Sequence, residues 1–258
     1  MSGLRPWVLL ALFAGLTLPL MPLQQIFLWT WPGMARRFPM HYHRMACRLL
    51  GIRVEVTGKP PVEGPLLIVS NHVSWLDILV LSSVAPVSFV AKKEVNGWPF
   101  FGTLARLQRT VFVDRERRHA TGNSRDEMGE RLKAGDILVL FPEGTSSDGR
   151  NILPFKSSFF GAAEIAGVLV QPVTLAYRGH RNLPMTRRIL PSYAWYGSME
   201  LAPHLLGALA QGPIEVAVVC HTPLSLSGER TRKALARHAE GEVRRGLSRA
   251  LHGSVEIG

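Results

Sequence analysis

The pattern of apolar and polar positions divides the chain into two unlike parts. From Pro6 to Ala35 no charged residue occurs. A continuous helix over that stretch would measure about 45 Å, against the ~30 Å hydrocarbon core of a bilayer. Pro19 and Pro22 interrupt it and Gln24-Gln25 follow, so two shorter apolar pieces are predicted, 7–18 and 23–31. Trp7, Trp29 and Trp31 stand near their outer ends, and tryptophan favours the headgroup level. The stretch reads as a membrane anchor, either one tilted span or a two-piece hairpin in one leaflet. The rival is a cleaved signal peptide. Its charged region would be Arg5 alone, and no clear Ala-x-Ala site follows the apolar core.

From Arg53 onward strand and helix signals alternate. Strands are predicted at 53–57, 66–71, 87–91, 110–114, 136–141, 169–176 and 214–220. Helices are predicted at 74–84, 98–107, 121–134, 157–167, 200–210 and 229–251. Several strands are continuous apolar runs rather than alternating ones, as expected where helices cover both faces of a sheet. The expected fold is α/β, with a mixed, largely parallel sheet flanked by helices. The expected division is an apolar anchor with a basic interfacial segment over 1–52, and an α/β domain over 53–258.

Charge narrows the class of partner. The chain has 258 residues and a formal net charge of +11, which points to an anionic partner. Next to the apolar stretch come Arg36, Arg37, His41, His43, Arg44, Arg48 and Arg53. That run suits anionic membrane lipids, and the positive-inside bias places it on the cytoplasmic face of the inner membrane. His41 and His43 have no acidic or cysteine partner nearby, so they read as interfacial histidines and not as a metal site. Nucleic acid has no zinc-finger spacing, RNP-like motif or helix-turn-helix to support it. Arginines on the last helix, Arg237, Arg244 and Arg245 among them, read as a solvated face, with a membrane-facing patch as the alternative. Cys47 and Cys220 fit no CxxC pattern or metal spacing and read as free thiols.

The chemistry concentrates where strands end. Leu66-Leu67-Ile68-Val69 runs into Ser70-Asn71-His72, and Asp77 follows five positions after the histidine. An acid beside a histidine can hold its ring and stabilise its charged form. Ser74-Trp75-Leu76-Asp77 also fits the capping box that opens a helix. Five residues along a regular helix leave two side chains about 140° apart. His72 and Asp77 therefore meet only if His72 lies in the turn before the helix and folds back over it.

Three further stretches share this character. Thr110-Val111-Phe112-Val113 delivers Asp114 and Arg115; Arg115 is suited to gripping a phosphate by paired hydrogen bonds, with a surface Asp-Arg pair as the alternative. Leu138-Val139-Leu140-Phe141-Pro142 delivers Glu143 into Gly144-Thr145-Ser146-Ser147-Asp148-Gly149, a turn-rich loop. Lys156 precedes Ser157-Ser158 at a predicted helix start, where a cation and free amides can meet an anion.

In this order and spacing the blocks resemble the glycerolipid acyltransferase family, which includes the lysophosphatidic acid acyltransferases. Asn71 to Asp77 matches its His-x4-Asp motif, Val111 to Arg115 its second block, Phe141 to Thr145 its third and Val170-Gln171-Pro172-Val173 its fourth. The resemblance implies transfer of a fatty acyl group from a thioester, on coenzyme A or acyl carrier protein, to the hydroxyl of a lysolipid. The acceptor put first is 1-acyl-sn-glycerol-3-phosphate. It implies His72 and Asp77 as the catalytic pair, Glu143, Gly144 and Thr145 around the acceptor, and Arg115 and Lys156 on its headgroup, with no metal and no cofactor. One departure stands out. Many lysophosphatidic acid acyltransferases carry arginine after Glu-Gly-Thr, and here it is Ser146. The run Ser146 to Gly149, with Leu107 to Arg115, is similar to the lyso-ornithine lipid acyltransferase branch, which makes that lipid the alternative acceptor. A hydrolase is the more distant alternative. The chain has no Gly-x-Ser-x-Gly elbow, and no P-loop or Gly-x-Gly-x-x-Gly for a nucleotide.

Overall fold

The computed structural model describes residues 3–114, 118–225 and 231–252, without the side chains of 118–124. Arg115 and the first two residues of the helix predicted at 229–251 lie outside the described residues.

Two helices come first, α1 (Arg5–Thr30) and α2 (Pro32–Leu50). The α/β part follows: β1 (Ile52–Gly58), β2 (Leu66–Ser70), α3 (Leu76–Val84), β3 (Val87–Lys92), α4 (Phe101–Leu107), β4 (Val111–Val113), α5 (Arg118–Lys133) and β5 (Ile137–Leu140). Then come α6 (Gly161–Ala166), β6 (Leu169–His180), the two-residue β7 (Leu183–Pro184), α7 (Leu201–Gln211), β8 (Ile214–Cys220) and α8 (Arg232–His252). The sheet order is β1-β8-β6-β2-β5-β3-β4, with β7 on β6. Strand β6 is antiparallel to β7 and β8; the other pairings are parallel. This is the mixed, largely parallel sheet expected.

The central strand explains the layering. Every residue of β2 is buried. Successive side chains point to opposite faces, so Leu66 and Ile68 join one apolar cluster while Leu67 and Val69 join another. The first cluster draws on α2, α3 and α7; the second draws on α5, α6 and α8. β2 lies between β5 and β6, parallel to both. The chain therefore leaves β2 and β5 at the same edge of the sheet, the place where open α/β sheets bind ligands.

The N-terminal expectation needs correction. The apolar stretch is not broken into two pieces: α1 runs unbroken through Pro19 and Pro22. A proline inside a helix removes one donor and crowds the preceding turn, but α2 supports this helix along its length. Thr17 Oγ1 and Tyr42 Oη lie 2.8 Å apart, Phe27 packs edge-on to Phe38, and Gln24 Nε2 donates to Ala35 O at 3.0 Å. Among the described residues α1 is the one helix long and apolar enough to cross a membrane. The basic segment from Arg36 to Arg48 also packs on the α/β part. It forms α2, where Arg44 donates to Ser83 O at 2.7 Å and His43 is buried with Nδ1 2.7 Å from Pro39 O. His41 is exposed.

Candidate active site

Strand β2 ends because a side chain takes over its ladder. Asn71 Nδ2 donates to Leu175 O at 2.9 Å, and Leu175 N donates to Asn71 Oδ1 at 2.8 Å. This amide clamp onto β6 frees the next residue, His72, to turn out of the sheet. The turn is then held from both neighbouring loops. His72 N donates to Glu143 Oε1 at 2.7 Å, Ser147 N donates to His72 O at 2.8 Å, and Trp195 N donates to Val73 O at 2.8 Å.

His72 lies before α3, so the condition set by helical geometry is met. Its Nδ1 is 2.8 Å from Asp77 Oδ2. The same oxygen accepts Val73 N at 2.7 Å and Ser74 N at 2.9 Å. Asp77, in the first turn of α3, thus holds both the ring and the backbone that leads into the helix; the N-cap itself is Trp75, without a side-chain cap, so the capping box expected from Ser74 does not form. Its other oxygen accepts the hydroxyl of Tyr177, on β6, at 2.7 Å. With Nδ1–H donated to the carboxylate, neutral His72 presents Nε2 as an acceptor. Phe141 stacks on the imidazole face at 4.0 Å and 13°.

Glu143 sits behind the histidine. Its carboxylate is buried, with Oε1 on His72 N and Oε2 on Leu153 N at 2.8 Å. Burial pushes its pKa up to about 7, against the downward pull of those two N–H donors. The loop needs glycine at two points. Gly144 holds φ +78°, and at Gly149 (φ +76°) a Cβ would come within 2.8 Å of Val73 Cγ1. Both lie in the left-handed region that side chains disfavour.

A cavity of about 780 Å³ opens beside the ring. His72, Gly144, Thr145 and Ser146 line one part of it; α1 contributes Leu10, Phe13 and Met21 to its mainly apolar remainder. Asp77 and Glu143 stand behind this wall and are buried. Lys156 is exposed and outside the lining; its N–H donates to Pro142 O at 3.0 Å. Tyr177 and Trp195 are the site's contributors that sequence reasoning did not single out, and Phe141 was read only as part of the third block. The signal for Tyr177 was a phenol inside an apolar strand, which needs a buried hydrogen-bond partner.

Comparison with known proteins decides the family. The acyltransferase family model matches residues 52–176. The chain is 47% identical over 257 residues to the lyso-ornithine lipid O-acyltransferase of Brucella abortus, covering 97% of this chain and 96% of that one. The chain belongs to the glycerolipid acyltransferase family. A second acyltransferase of this family, the 1-acyl-sn-glycerol-3-phosphate acyltransferase of Neisseria gonorrhoeae, is 39% identical over 154 residues, 59% of each chain. The fold is that of the 1-acyl-sn-glycerophosphate acyltransferase crystal structure from Thermotoga maritima. Its TM-score is 0.69 at 22% identity, over 96% of this chain and 98% of that one.

This acyltransferase departs from the arginine-bearing pattern at Ser146, and the structure shows what the serine does instead. Its hydroxyl donates to Trp195 O. Trp195 in turn packs edge-on to Trp98, with centroids 6.2 Å apart. Two residues on, Asp148 pairs with Arg150 at 2.9 Å. The loop carries hydroxyls and a neutralised pair where a phosphate grip would need a free guanidinium.

Proposed function

We propose that this acyltransferase acylates the hydroxyl of a lysolipid by general-base catalysis, with lyso-ornithine lipid as acceptor ahead of 1-acyl-sn-glycerol-3-phosphate. The observation that carries the reading is the His72–Asp77 pair, with its free ring nitrogen at the wall of an apolar cavity. An alcohol is a poor nucleophile near neutral pH. Nε2 of His72 takes its proton as the oxygen attacks the thioester carbonyl, and Asp77 stabilises the imidazolium formed. The tetrahedral intermediate expels the thiolate, which recovers the proton from Nε2. No acyl-enzyme forms. The acyl chain lies along the apolar lining, with Gly144 and Thr145 beside the acceptor. Arg115 is the candidate cation for the acceptor's carboxylate or phosphate.

Ser146 supports the choice of acceptor, as does the full-length match to a lyso-ornithine enzyme. The exposed apolar face of α1 supports association with the inner membrane, with the catalytic unit on the cytoplasmic side and anionic lipids as neighbours. The donor is an acyl thioester, on coenzyme A or acyl carrier protein, and no other cofactor takes part.

The test incubates purified protein with each acceptor and each thioester and reads products by mass spectrometry. Acylated lyso-ornithine lipid is expected to form fastest. Folded His72→Ala protein is expected to lose about 10²–10⁴ of the rate. Near-normal transfer by that variant would refute the mechanism. Released fatty acid without acylated lipid would mean a hydrolase.

A further inference from the structure

A second charged centre lies at the other end of the sheet. Asp136 stands directly before β5, and its side chain is 2% exposed. Three guanidiniums converge on it: Arg36 of α2 at 3.0 Å, Arg109 of the turn before β4 at 2.8 Å, and Arg131 of α5 at 2.5 Å. The other charged pair bordering the cleft, Arg37 and Glu63, balances itself at 3.5 Å. Among the described residues, three cations against one anion leave a formal surplus of two positive charges. One guanidinium would satisfy Asp136; the second and third repel the first and each other. Burial and the nearby Arg131 and Arg36 push Arg109 below its ordinary pKa, against the pull of Asp136. Arg109 also holds φ +61°, an unfavourable backbone state for an arginine. Such strain persists where the surroundings require the side chain's placement.

The arginines are not sealed in. Arg36, Arg109 and Asp136 border a cleft of about 510 Å³, with Trp31 and Val62 also on its lining. Trp31 is 60% and Val62 72% exposed, and the exposed apolar face of α1 ends here. Surplus cations with exposed apolar side chains at the rim suit a phosphate carried on a lipid. Arg36 holds Asp136 through Nε and Ala134 O through Nη2, and Arg109 holds Asp136 through Nη2; their other guanidinium N–H groups meet the oxyanion, and tryptophan sits at headgroup depth.

We propose that the cleft bordered by Arg36 and Arg109, with Arg131 also on Asp136 but outside the lining, binds a phosphate oxyanion, either the headgroup phosphate of an anionic bilayer lipid or inorganic phosphate. The site is separate from the catalytic cavity: His72 follows the end of β2, whereas Asp136 precedes the start of the parallel β5. The lipid source rests on the membrane association proposed above; the anion site does not.

The test uses the full chain in detergent and on vesicles. Thermal unfolding is followed in inorganic phosphate and in chloride of equal ionic strength. Partition is measured on phosphatidylcholine vesicles with and without one third phosphatidylglycerol, the fraction being a choice of roughly physiological surface charge. Arg36→Gln removes a guanidinium, Arg36→Lys keeps the charge, and Arg237→Gln removes an exposed arginine from α8. Arg36→Gln is expected to weaken partition onto the anionic vesicles about fivefold, Arg36→Lys by less, and Arg237→Gln by under about twofold. Phosphate is expected to raise the unfolding midpoint of the wild type and not of Arg36→Gln. A vesicle effect assigns the lipid; a phosphate effect without it assigns the free ion. Absence of both, or an equal loss in Arg237→Gln, overturns the proposal. Failure to partition onto any vesicle, with the phosphate shift intact, would sink the membrane reading alone.

Discussion

A single carboxylate, Asp77, orders His72 by accepting four donors: the imidazole, two backbone amides and the Tyr177 hydroxyl. Tyr177→Phe removes one of them in a fully buried setting. The loss is expected to cost about 1–3 kcal/mol of stability, read by urea unfolding, and to lower kcat with little change in KM for the lysolipid. Glu143 supplies a second test. Its pKa is 4.5 when unperturbed and about 7 in the fold, so the folded state holds the proton more tightly. The stability this adds is complete below pH 4.5 and is lost as pH rises through 7, a change on the order of 3 kcal/mol. Unfolding at pH 5 and pH 8 is expected to show a smaller loss for Glu143→Gln than for the wild type. The histidine and its acid were legible in the sequence because they sit close together between a strand and a helix. Tyr177 was not: it is a hundred residues away from Asp77, and only the pairing of β6 with β2 brings it there. Glu143 was legible as important, but its work on His72 N is a long-range contact that spacing does not reveal.

At the level of elements, the loop after β5 and the two leading helices each make a claim that can be measured. Gly149→Ala puts a methyl against Val73, beside His72, in a disfavoured backbone state. It is expected to cost about 1–2 kcal/mol and to lower kcat by shifting the histidine turn, read by calorimetry and turnover together. In α1, Gln24 Nε2 bridges Ala35 O and Leu107 O at 3.0 and 2.9 Å. Gln24→Leu leaves two buried carbonyls without that donor. The expected loss is about 1–3 kcal/mol for each, read as a fall in unfolding midpoint in detergent. The strands were legible because their apolar runs are short and end in turn residues. The prolines of α1 misled for a physical reason: local propensity argues for a break, and packing against α2 overrides it. The helix start at Ser157 was half legible, since the chain makes a 3-10 turn over Ser157–Phe160 before α6 begins.

For the molecule as a whole, surface charge and the apolar helix are separable contributions to the membrane affinity proposed above. The net charge of +11 acts through solvent and is screened over about 8 Å at physiological salt; apolar burial is not. Partition onto phosphatidylglycerol vesicles is expected to fall toward the phosphatidylcholine value as salt rises, with partition onto phosphatidylcholine unchanged. The sheet topology bears on how such a chain is made. β1 pairs along its length with β8, Ile52 beside Ile214 and Gly58 beside Cys220. Among the described residues, the first strand of the sheet must therefore wait for the last. Helix α7, on which Arg5 docks through Leu209 O, is also a late product. While translation continues, the leading apolar segment has no finished protein surface to rest on, and lipid is the cover within reach. On the membrane association proposed above, delivery to the bilayer precedes closure of the sheet.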